Sequence, residues 1–250
     1  MKSLVENTQT GKRVKKHVRF RYLIAAVVAL AGVAVMAYPE VENLFYDRQI
    51  ASYKHEFSAK YPQVGDQVKP NEELYQFLKS ENERLFQTGQ SALVDAFSYQ
   101  RAGIDLSAYG IQDDCIGFIS LPTINMELPI FLGANRENMR KGAVHLTQTS
   151  YPIGGENTNT VIAAHRGGTL KMFRNIHEIK IGDEITLTNF RETLVYRAAE
   201  IRIIKPNEID KVMIQEGREL LTLISCNPLG KNYQRYVLYC ERVFPVPPVD

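Results

Sequence analysis

The sequence predicts a mostly β domain, built as a barrel or a sandwich and preceded by helices and one membrane-spanning segment. From residue 115 onward, short runs rich in β-branched and aromatic residues alternate with turn residues such as Gly133 and Gly182, which is typical of an all-β architecture. Two amphipathic stretches precede them, and an apolar run precedes those. The 250 residues are enough for one domain with a sizeable core and an extension.

The N-terminal end is strongly basic. Residues 1–22 hold seven Lys or Arg and one acidic residue, Glu6, so this segment carries +6 within an overall charge of +2, and the remainder carries −4. A domain with a charge of −4 lacks the basic face that nucleic acids require. We therefore exclude nucleic acid as a partner.

The apolar run 20–38 follows this basic segment directly. Its 17 uncharged residues from Tyr22 to Tyr38 are near the lower limit for crossing about 30 Å of hydrocarbon. Because positive charge stays on the cytoplasmic side, we expect residues 1–19 to form a cytoplasmic tail, residues 20–38 to span the cell membrane once, and the rest to be exported. The residues Val35-Met36-Ala37 also fit a signal-peptidase site, so cleavage remains an alternative to an uncleaved anchor.

Residues 39–112 are predicted to form a helical extension. A loop with Pro62, Gly65 and Pro70 separates two amphipathic stretches, and Asn71 resembles the N-cap of the second, with Glu72 in the first turn. We expect these helices to pack on the main domain or to space it from the membrane. The first stretch carries its apolar residues at Val41, Leu44, Phe45, Tyr53, Phe57 and Tyr61.

Residues 113–246 are predicted to form the main β domain, followed by a short tail at 247–250. Short helical pieces are expected at 170–176 and 208–214, and His145 lies in a further candidate strand. The predicted strands read CIGFISL, MELPIF, TVIAAH, EITLTN, ETLVYRAAEIRIIK, ELLTLISC and RYVLYCERVFPV.

The three cysteines are an odd number, so an exported domain keeps at least one free thiol. Cys226 ends an apolar run and precedes a turn with Pro228 and Gly230, which places its thiol at the rim of a sheet. A nucleophile and a buried small hydrophobic residue are both compatible with this position. Cys115 and Cys240 lie in predicted strands, where we expect buried inert thiols, with a disulfide between them as the alternative.

Two polar residues could complete a site around Cys226. His165 ends a predicted strand and opens a glycine-containing loop, and Arg235 lies nine residues after Cys226, across a turn. If the last two strands pair, the Arg235 guanidinium could donate to the oxygen of a carbonyl under attack. A structural histidine and a solvated arginine are the alternatives. No cluster has metal-ligand spacing and no glycine pattern matches a phosphate loop, so we expect no metal and no cofactor.

These residues resemble the sortase family. The stretch TLISCNPLGKNYQRYVLYCERV (222–243) is similar to the family's T-L-x-T-C signature, with Ser225 where Thr is common, followed by a Pro-Gly turn and an Arg on the next strand. NTVIAAHRGG (159–168) is similar to the histidine segment, and LPTINMELPIFLGAN (121–135) and GAVHLTQTSYPIGGENT (142–158) are similar to the early strands. The resemblance covers about residues 115–246 and implies a closed β-barrel of about eight strands with short helices.

The resemblance also implies a function, that of a membrane-anchored cysteine transpeptidase. Cys226 would be the nucleophile, His165 the general acid and base, and Arg235 the group that stabilises the oxyanion or the substrate. The implied partners are surface or pilin proteins that bear an LPxTG-like sorting signal. The implied acceptor is an amine, either a pilin lysine or a cell-wall peptide.

The helical extension resembles that of class C, pilin-polymerising sortases. That group often carries a lid with an Asp-Pro-aromatic tripeptide, and LVDAFS (93–98) is similar to it, with Ala96 in the Pro position. Asp95 would then pair with Arg235, and Phe97 would cover Cys226. A plain linker is the alternative. The resemblance therefore favours pilus assembly, with attachment of surface proteins to the cell wall as the alternative function.

Three other classes fit the residues less well. In a papain-like protease the Cys comes first and opens a helix, whereas here His165 precedes Cys226 and both end predicted strands. The motif of an L,D-transpeptidase has His-Gly just before the Cys, and Ile224-Ser225 departs from it. A membrane-tethered binding or structural domain with an inert Cys226 is the non-enzymatic alternative, which a covalent peptide adduct on Cys226 would exclude.

Overall fold

The computed structural model describes residues 2–62, 71–111 and 113–243, with side chains from residue 20 onward. The predicted loop residues Gly65 and Pro70, the tail at 247–250 and the side chains of the basic segment 1–19 lie outside the described residues. The chain divides into two compact units, Met1–Phe45 and Tyr46–Asp250.

The first unit is helical. Helix α1 (Lys2–Lys60) begins in it and contains Pro39. Within α1, the described segment Phe20–Lys60 is long and apolar enough to cross a membrane, and the apolar window in it has a mean hydropathy of 2.1 with none of its residues buried. An apolar, unburied helix near the N-terminus fits a membrane anchor, and a signal sequence has the same properties.

In the second unit, the end of α1 and helix α2 (Glu72–Thr88) pack on the β domain. The rings of Tyr53 and Phe57 lie edge-on to Phe131 and Phe118, at centroid distances of 5.5 and 5.4 Å. Helix α2 buries Leu74, Leu78 and Leu85 on one face. Apolar side chains at helical spacing therefore attach the extension to the domain through buried surface, the main source of such stability.

Asn71 directly precedes α2 as predicted, but its side chain does not cap the helix. Its backbone is left-handed (φ 54°), and its side chain makes no capping hydrogen bond. A capping side chain requires an extended backbone at this position. The Asn71 amide instead donates to the hydroxyl of Tyr61, at 3.5 Å.

The β domain is a closed barrel of eight strands, which confirms the predicted fold class. Around the barrel the order is β1-β2-β3-β4-β7-β8-β6-β5, and β5 closes it on β1. The pairs β2–β3 and β4–β7 are parallel, and the others are antiparallel. The strands are β1 (Cys115–Leu121), β2 (Met126–Leu132), β3 (Ala143–His145), β4 (Thr158–Ala163), β5 (Glu184–Asn189), β6 (Thr193–Ile204), β7 (Glu219–Asn227) and β8 (Gln234–Arg242).

In the described residues after α2 there are one further short helix, α3 (Arg136–Lys141), and four 3-10 turns. These turns are Leu106–Tyr109, Pro122–Ile124, Ile176–Glu178 and Ile209–Val212. The helical piece expected at 170–176 is wrong: this segment forms turns, and the backbone N–H of Phe173 donates to the carbonyl of His165 at 3.0 Å. In a helix, this N–H would instead donate to the carbonyl four residues earlier in the chain. At 208–214 only the 3-10 turn Ile209–Val212 forms.

All three cysteines are free thiols in the structure, so the alternative of a Cys115–Cys240 disulfide is not observed. Cys115 and Cys240 are fully buried, whereas Cys226 is partly exposed. Burial raises the pKa of Cys115 to about 12 and raises that of Cys240 as well, which keeps both as inert thiols.

Candidate active site

The β7–β8 register brings Cys226 and Arg235 together. The two strands run antiparallel, and Cys226 is the direct cross-strand partner of Arg235. Directly opposed residues in an antiparallel pair project from the same face of the sheet, with their Cβ atoms about 5 Å apart. The guanidinium of Arg235, which is 4% exposed, therefore lies beside the thiol.

His165 reaches the same edge through the parallel pairing of β4 with β7. Ala163 at the end of β4 pairs with Ile224, and Ala164 N–H continues the ladder by donating to the Ile224 carbonyl at 3.3 Å. The Ser225 hydroxyl donates to the Ala164 carbonyl at 2.7 Å and fastens the two strand ends. Since parallel strands end at one edge of a sheet, His165 follows beside Cys226. Ser225 stands where the signature commonly has Thr, and it keeps the hydroxyl that makes this bond.

A cavity of about 410 Å³ opens at this edge between two loops. It is bounded by the loop after β4 on one side and by the β7–β8 loop on the other, with Cys226 between them. The lining residues are His165, Arg166, Gly167, Gly168, Cys226, Gly230, Lys231 and Asn232.

Asp95 forms a two-pronged ion pair with Arg235. Its Oδ1 accepts from Nε and its Oδ2 accepts from Nη2, each at 2.7 Å. The side chains of Asp95 and Arg235 are only 14% and 5% exposed, respectively. Charge-assisted bidentate pairs of this kind are among the strongest hydrogen-bonded contacts in proteins. The structure therefore places the carboxylate of Asp95 on the arginine with which the resemblance associated it.

The ring of Phe97 lies near both His165 and Arg235. Its ring centroid is 5.9 Å from that of His165, and the Cζ of Arg235 lies 4.8 Å from the Phe97 centroid. We call residues 93–98 the lid segment. Its turn is set by Asp95, whose carboxylate accepts from the Phe97 N–H at 3.2 Å and whose carbonyl accepts from the Ser98 N–H at 3.0 Å.

The lid segment is held to the β domain on both sides. On one side the Gln90 amide donates to the carbonyl of Gln148 and accepts from the N–H of Ile214, at 2.7 and 2.6 Å. On the other side the N–H of Gln100 donates to the carbonyl of Ala134 at 3.1 Å. The chain then passes so close to Gly133 (φ 81°) that a Cβ there would lie 2.4 Å from a backbone nitrogen. The segment between these anchors has turns and no helix or strand.

Burial moves Cys226 and His165 away from their charged forms. Desolvation raises the pKa of Cys226, Arg235 and Arg166 lower it, and the nearby carboxylate of Asp95 raises it. Desolvation lowers the pKa of His165. With Phe97 and Asp95 in place, the thiol and the imidazole are therefore favoured as a neutral pair.

Arg166 is a residue near Cys226 to which the sequence pattern assigned no role. It directly follows His165, lines the same cavity and is 7% exposed. The sequence shows a cation directly after a candidate catalytic residue, but it does not show that this cation is buried.

The other strand histidine is structural. His145 is fully buried, and its Nε2 lies 3.1 Å from the Ser150 carbonyl and 3.2 Å from the Thr149 hydroxyl. Burial lowers its pKa to about 4, so it stays neutral. In the described part of the chain, no group of three or more His, Cys, Asp or Glu residues could hold a metal ion.

A model of the sortase domain matches residues 119–243, half of the chain. The chain belongs to the sortase family. The family consists of cysteine transpeptidases, and the match spans the barrel from β1 to the end of β8 with Cys226, His165 and Arg235 inside it.

Among characterised relatives, this sortase is 30% identical over 130 residues to sortase D of Bacillus subtilis and 29% identical over 126 residues to sortase A of Bacillus anthracis. The alignments cover 51% and 49% of this chain, and 63% and 57% of those proteins. The chain thus matches less than two thirds of the length of either relative.

The similarity to solved structures extends further along the chain. Sortase C1 of Streptococcus agalactiae superposes with a TM-score of 0.68 and 27% identity, covering 80% of this sortase and 98% of that structure. Sortase C-1 of Actinomyces oris superposes with a TM-score of 0.60 and 30% identity, covering 69% of this sortase and 99% of that structure. Since 80% coverage exceeds the matched barrel, the similarity to the streptococcal protein includes part of the helical extension.

Proposed function

We propose that this sortase is a membrane-anchored cysteine transpeptidase in which Cys226 is the nucleophile, His165 the general acid and base, and Arg235 the stabilising cation. The observation that carries the proposal is the register of β7 on β8. It puts a partly exposed thiol opposite a buried guanidinium, at the edge where His165 follows β4. The two other thiols are buried.

In the first step, the Cys226 sulfur attacks the Thr–Gly carbonyl carbon of an LPxTG-like sorting signal. The thiol proton passes to His165, a carbon–sulfur bond forms, the carbon–nitrogen bond breaks, and His165 gives that proton to the leaving glycine amine. In the second step, an acceptor amine attacks the thioester and loses a proton to His165. An amide forms and the Cys226 sulfur is released. Arg235 stabilises the oxygen that carries negative charge in both steps.

We infer from the hydrogen bonds of Arg235 that the lid segment leaves before this chemistry. Nε and Nη2 donate to Asp95, and Nη1 donates to the carbonyls of Asn232 and Gln234 at 2.8 and 3.0 Å. These bonds engage four of the five N–H donors of a guanidinium. Asp95 takes two donors that a substrate oxygen could otherwise use, whereas the two donors of Nη1 hold the β7–β8 turn. The lid segment thus competes with the substrate for Arg235.

We further propose a pilin as the acyl donor and a pilin lysine as the acceptor amine. Support comes from the similarity to sortase C structures, which extends beyond the barrel, and from the lid-like contact of Asp95. One of those structures is described as a sortase of a pilus island. The alternative, attachment of surface proteins to a cell-wall peptide, uses the same thioester and differs only in the amine.

The proposed membrane arrangement rests on the apolar helix of the first unit. The apolar helical segment that begins at Phe20 is proposed as an uncleaved single-pass anchor. The basic residues before it support a cytoplasmic N-terminus and a barrel on the outside.

The test is detection of the thioester. The full-length chain in detergent is incubated with a peptide that carries an LPxTG sorting signal, and its intact mass is measured. We expect the mass of the acyl fragment to be added to the wild-type protein and absent from Cys226→Ala. Full turnover by Cys226→Ala would contradict the proposal, and so would a wild-type protein that never acquires the adduct.

The acceptor is identified in the same mixture by adding two amines at equal concentration. One is a pilin fragment with a reactive lysine, and the other is a cell-wall peptide with a free amine. Faster formation of the lysine-linked product supports pilin polymerisation. Faster formation of the wall-peptide product replaces it with cell-wall attachment and leaves the thioester mechanism intact.

A further inference from the structure

Arg166 contacts the strand that carries Cys226 from behind. Its Nη1 donates to Oδ1 of Asn227 at 2.9 Å, and its Cζ lies 5.0 Å from the centre of the Tyr236 ring. Asn227 then donates to the side chain of Gln234 at 3.1 Å. One chain of contacts therefore connects the loop after β4, the end of β7 and the start of β8.

These contacts lie on the face of the ladder that Cys226 does not use. In the register, Asn227 pairs with Gln234 and Ser225 pairs with Tyr236, on either side of the pair that contains Cys226. Side chains alternate between faces along a strand, so Asn227 and Tyr236 project away from the face of Cys226. These two contacts of Arg166 therefore lie on the face opposite the one that Cys226 and Arg235 share.

The two arginines also differ in what balances their charge. Arg235 is paired with Asp95 of the lid segment. None of the ion pairs in the described part of the chain involves Arg166, whose contacts are an amide oxygen and an aromatic ring. An arginine that is 7% exposed and faces no carboxylate keeps a positive field in its surroundings.

We propose that Arg166 is a positioning residue that fixes the end of β7 and keeps a positive charge beside the Cys226 thiolate whether or not the lid segment is docked. This inference rests on the proposed role of Cys226 as the nucleophile. While the lid segment is docked, Asp95 offsets the charge of Arg235, and Arg166 is the buried cation that remains. During the reaction Arg235 stabilises the substrate oxygen, and Arg166 continues to supply a positive charge near the sulfur.

The charged and titratable groups around Cys226 come from every element packed near it. The electrostatics agree with the geometry, because Arg166 lowers the pKa of Cys226 and Asp95 raises it. The groups are Arg235 on β8, Asp95 on the lid segment, His165 and Arg166 after β4, Lys231 in the β7–β8 loop and Tyr236 behind the strand.

The experiment measures the rate of Cys226 alkylation by iodoacetamide against pH, in the full-length chain. Because Cys115 and Cys240 are fully buried, Cys226→Ala supplies the background. We expect Arg166→Gln to move the midpoint of the profile to higher pH and to lower the rate at pH 7 about threefold to tenfold. Arg166→Lys keeps the charge and should recover most of the rate. Arg140→Gln, which removes an exposed cation from α3, should leave the profile unchanged.

The variants at Arg166 separate loss of charge from loss of packing and from loss of the fold. If Arg166→Gln does not fold, Arg166→Met makes the same comparison, since it keeps a long side chain against the Tyr236 ring. A profile that is the same in wild type and in the uncharged variant would overturn the proposal. An equal shift in Arg166→Lys would also overturn it, because lost packing rather than lost charge would then be the cause. Thioester formation by the wild type tests the function of Cys226 separately.

Discussion

The two ends of the β7–β8 pair each carry an arginine of β8 that meets a carboxylate. At one end, Arg242 Nε lies 3.2 Å from Oε1 of Glu219, which belongs to the adjacent strand and also accepts from the Tyr196 hydroxyl. At the other end, Arg235 meets Asp95, which lies 140 residues away in the sequence on the lid segment.

The difference lies in what must break for each carboxylate to leave. Glu219 cannot move without opening the barrel, because it is part of β7 and its side chain is 9% exposed. Asp95 lies in a turn that makes no ladder hydrogen bonds and is anchored through flanking residues. The first pair therefore stabilises the fold, and the second can open while the barrel stays intact.

The largest effect is expected from replacing the cation at the Asp95 end. Arg235→Lys should lower transpeptidation about 100-fold or more, because an ammonium lacks the fork that can donate to a substrate oxygen. The measurement is steady-state turnover of a sorting-signal peptide with an amine. Arg242→Lys is the matched control at the other end and should lose stability but retain turnover. Wild-type turnover by Arg235→Lys would contradict the role of Arg235.

The next effect concerns stability at the Glu219 end. Glu219→Gln removes a carboxylate that pairs with Arg242 and accepts from Tyr196, and it should lower the free energy of unfolding by about 2 kcal/mol. Denaturant titration followed by circular dichroism measures this change. The alkylation rate of Cys226 should stay the same. If that rate rises instead, the two ends are coupled and the distinction between them is wrong.

The third effect concerns opening of the lid segment. Asp95→Asn removes a bidentate ion pair and should raise the rate of Cys226 alkylation at pH 7 about tenfold, the change that corresponds to about 1.4 kcal/mol. The midpoint of the pH profile should also move to lower pH. Asp95 raises the pKa of Cys226, and its loss leaves the opposing effect of Arg235 unbalanced.

The control for that variant is Asp105→Asn. Asp105 is also on the linker before the barrel, and its side chain accepts from the N–H of Ser107 at 2.9 Å, a bond that Asn can replace. Asp105→Asn should leave both the rate of Cys226 alkylation and the midpoint of its pH profile unchanged. An equal rise in Asp105→Asn would assign the effect to overall charge rather than to the lid segment.

The sequence predicted the convergence of Cys226, His165 and Arg235 because each lies at or just beyond a strand end, and strand ends meet at sheet edges. It could not predict the turns at 170–176, since the bond from Phe173 to the His165 carbonyl joins residues that only the folded loop brings together. Arg166 was missed because its burial depends on Tyr236 of a distant strand. The contact of Asp95 with Arg235 was expected from the family resemblance alone, as no local pattern relates residues so far apart.

The smallest effect separates the aromatic part of the lid segment from its charge. Phe97→Ala leaves the Asp95 ion pair in place and removes a ring that lies near His165 and Arg235. The rate of Cys226 alkylation should rise about threefold, because the thiol is more accessible while the segment stays docked. Val94→Ala, which shortens an exposed side chain of the same segment, is the control and should have no effect. An unchanged rate in Phe97→Ala would show that the ring does not shield Cys226. A rise equal to that of Asp95→Asn would show that ring and ion pair hold the segment as one unit, so that neither acts as a separate barrier.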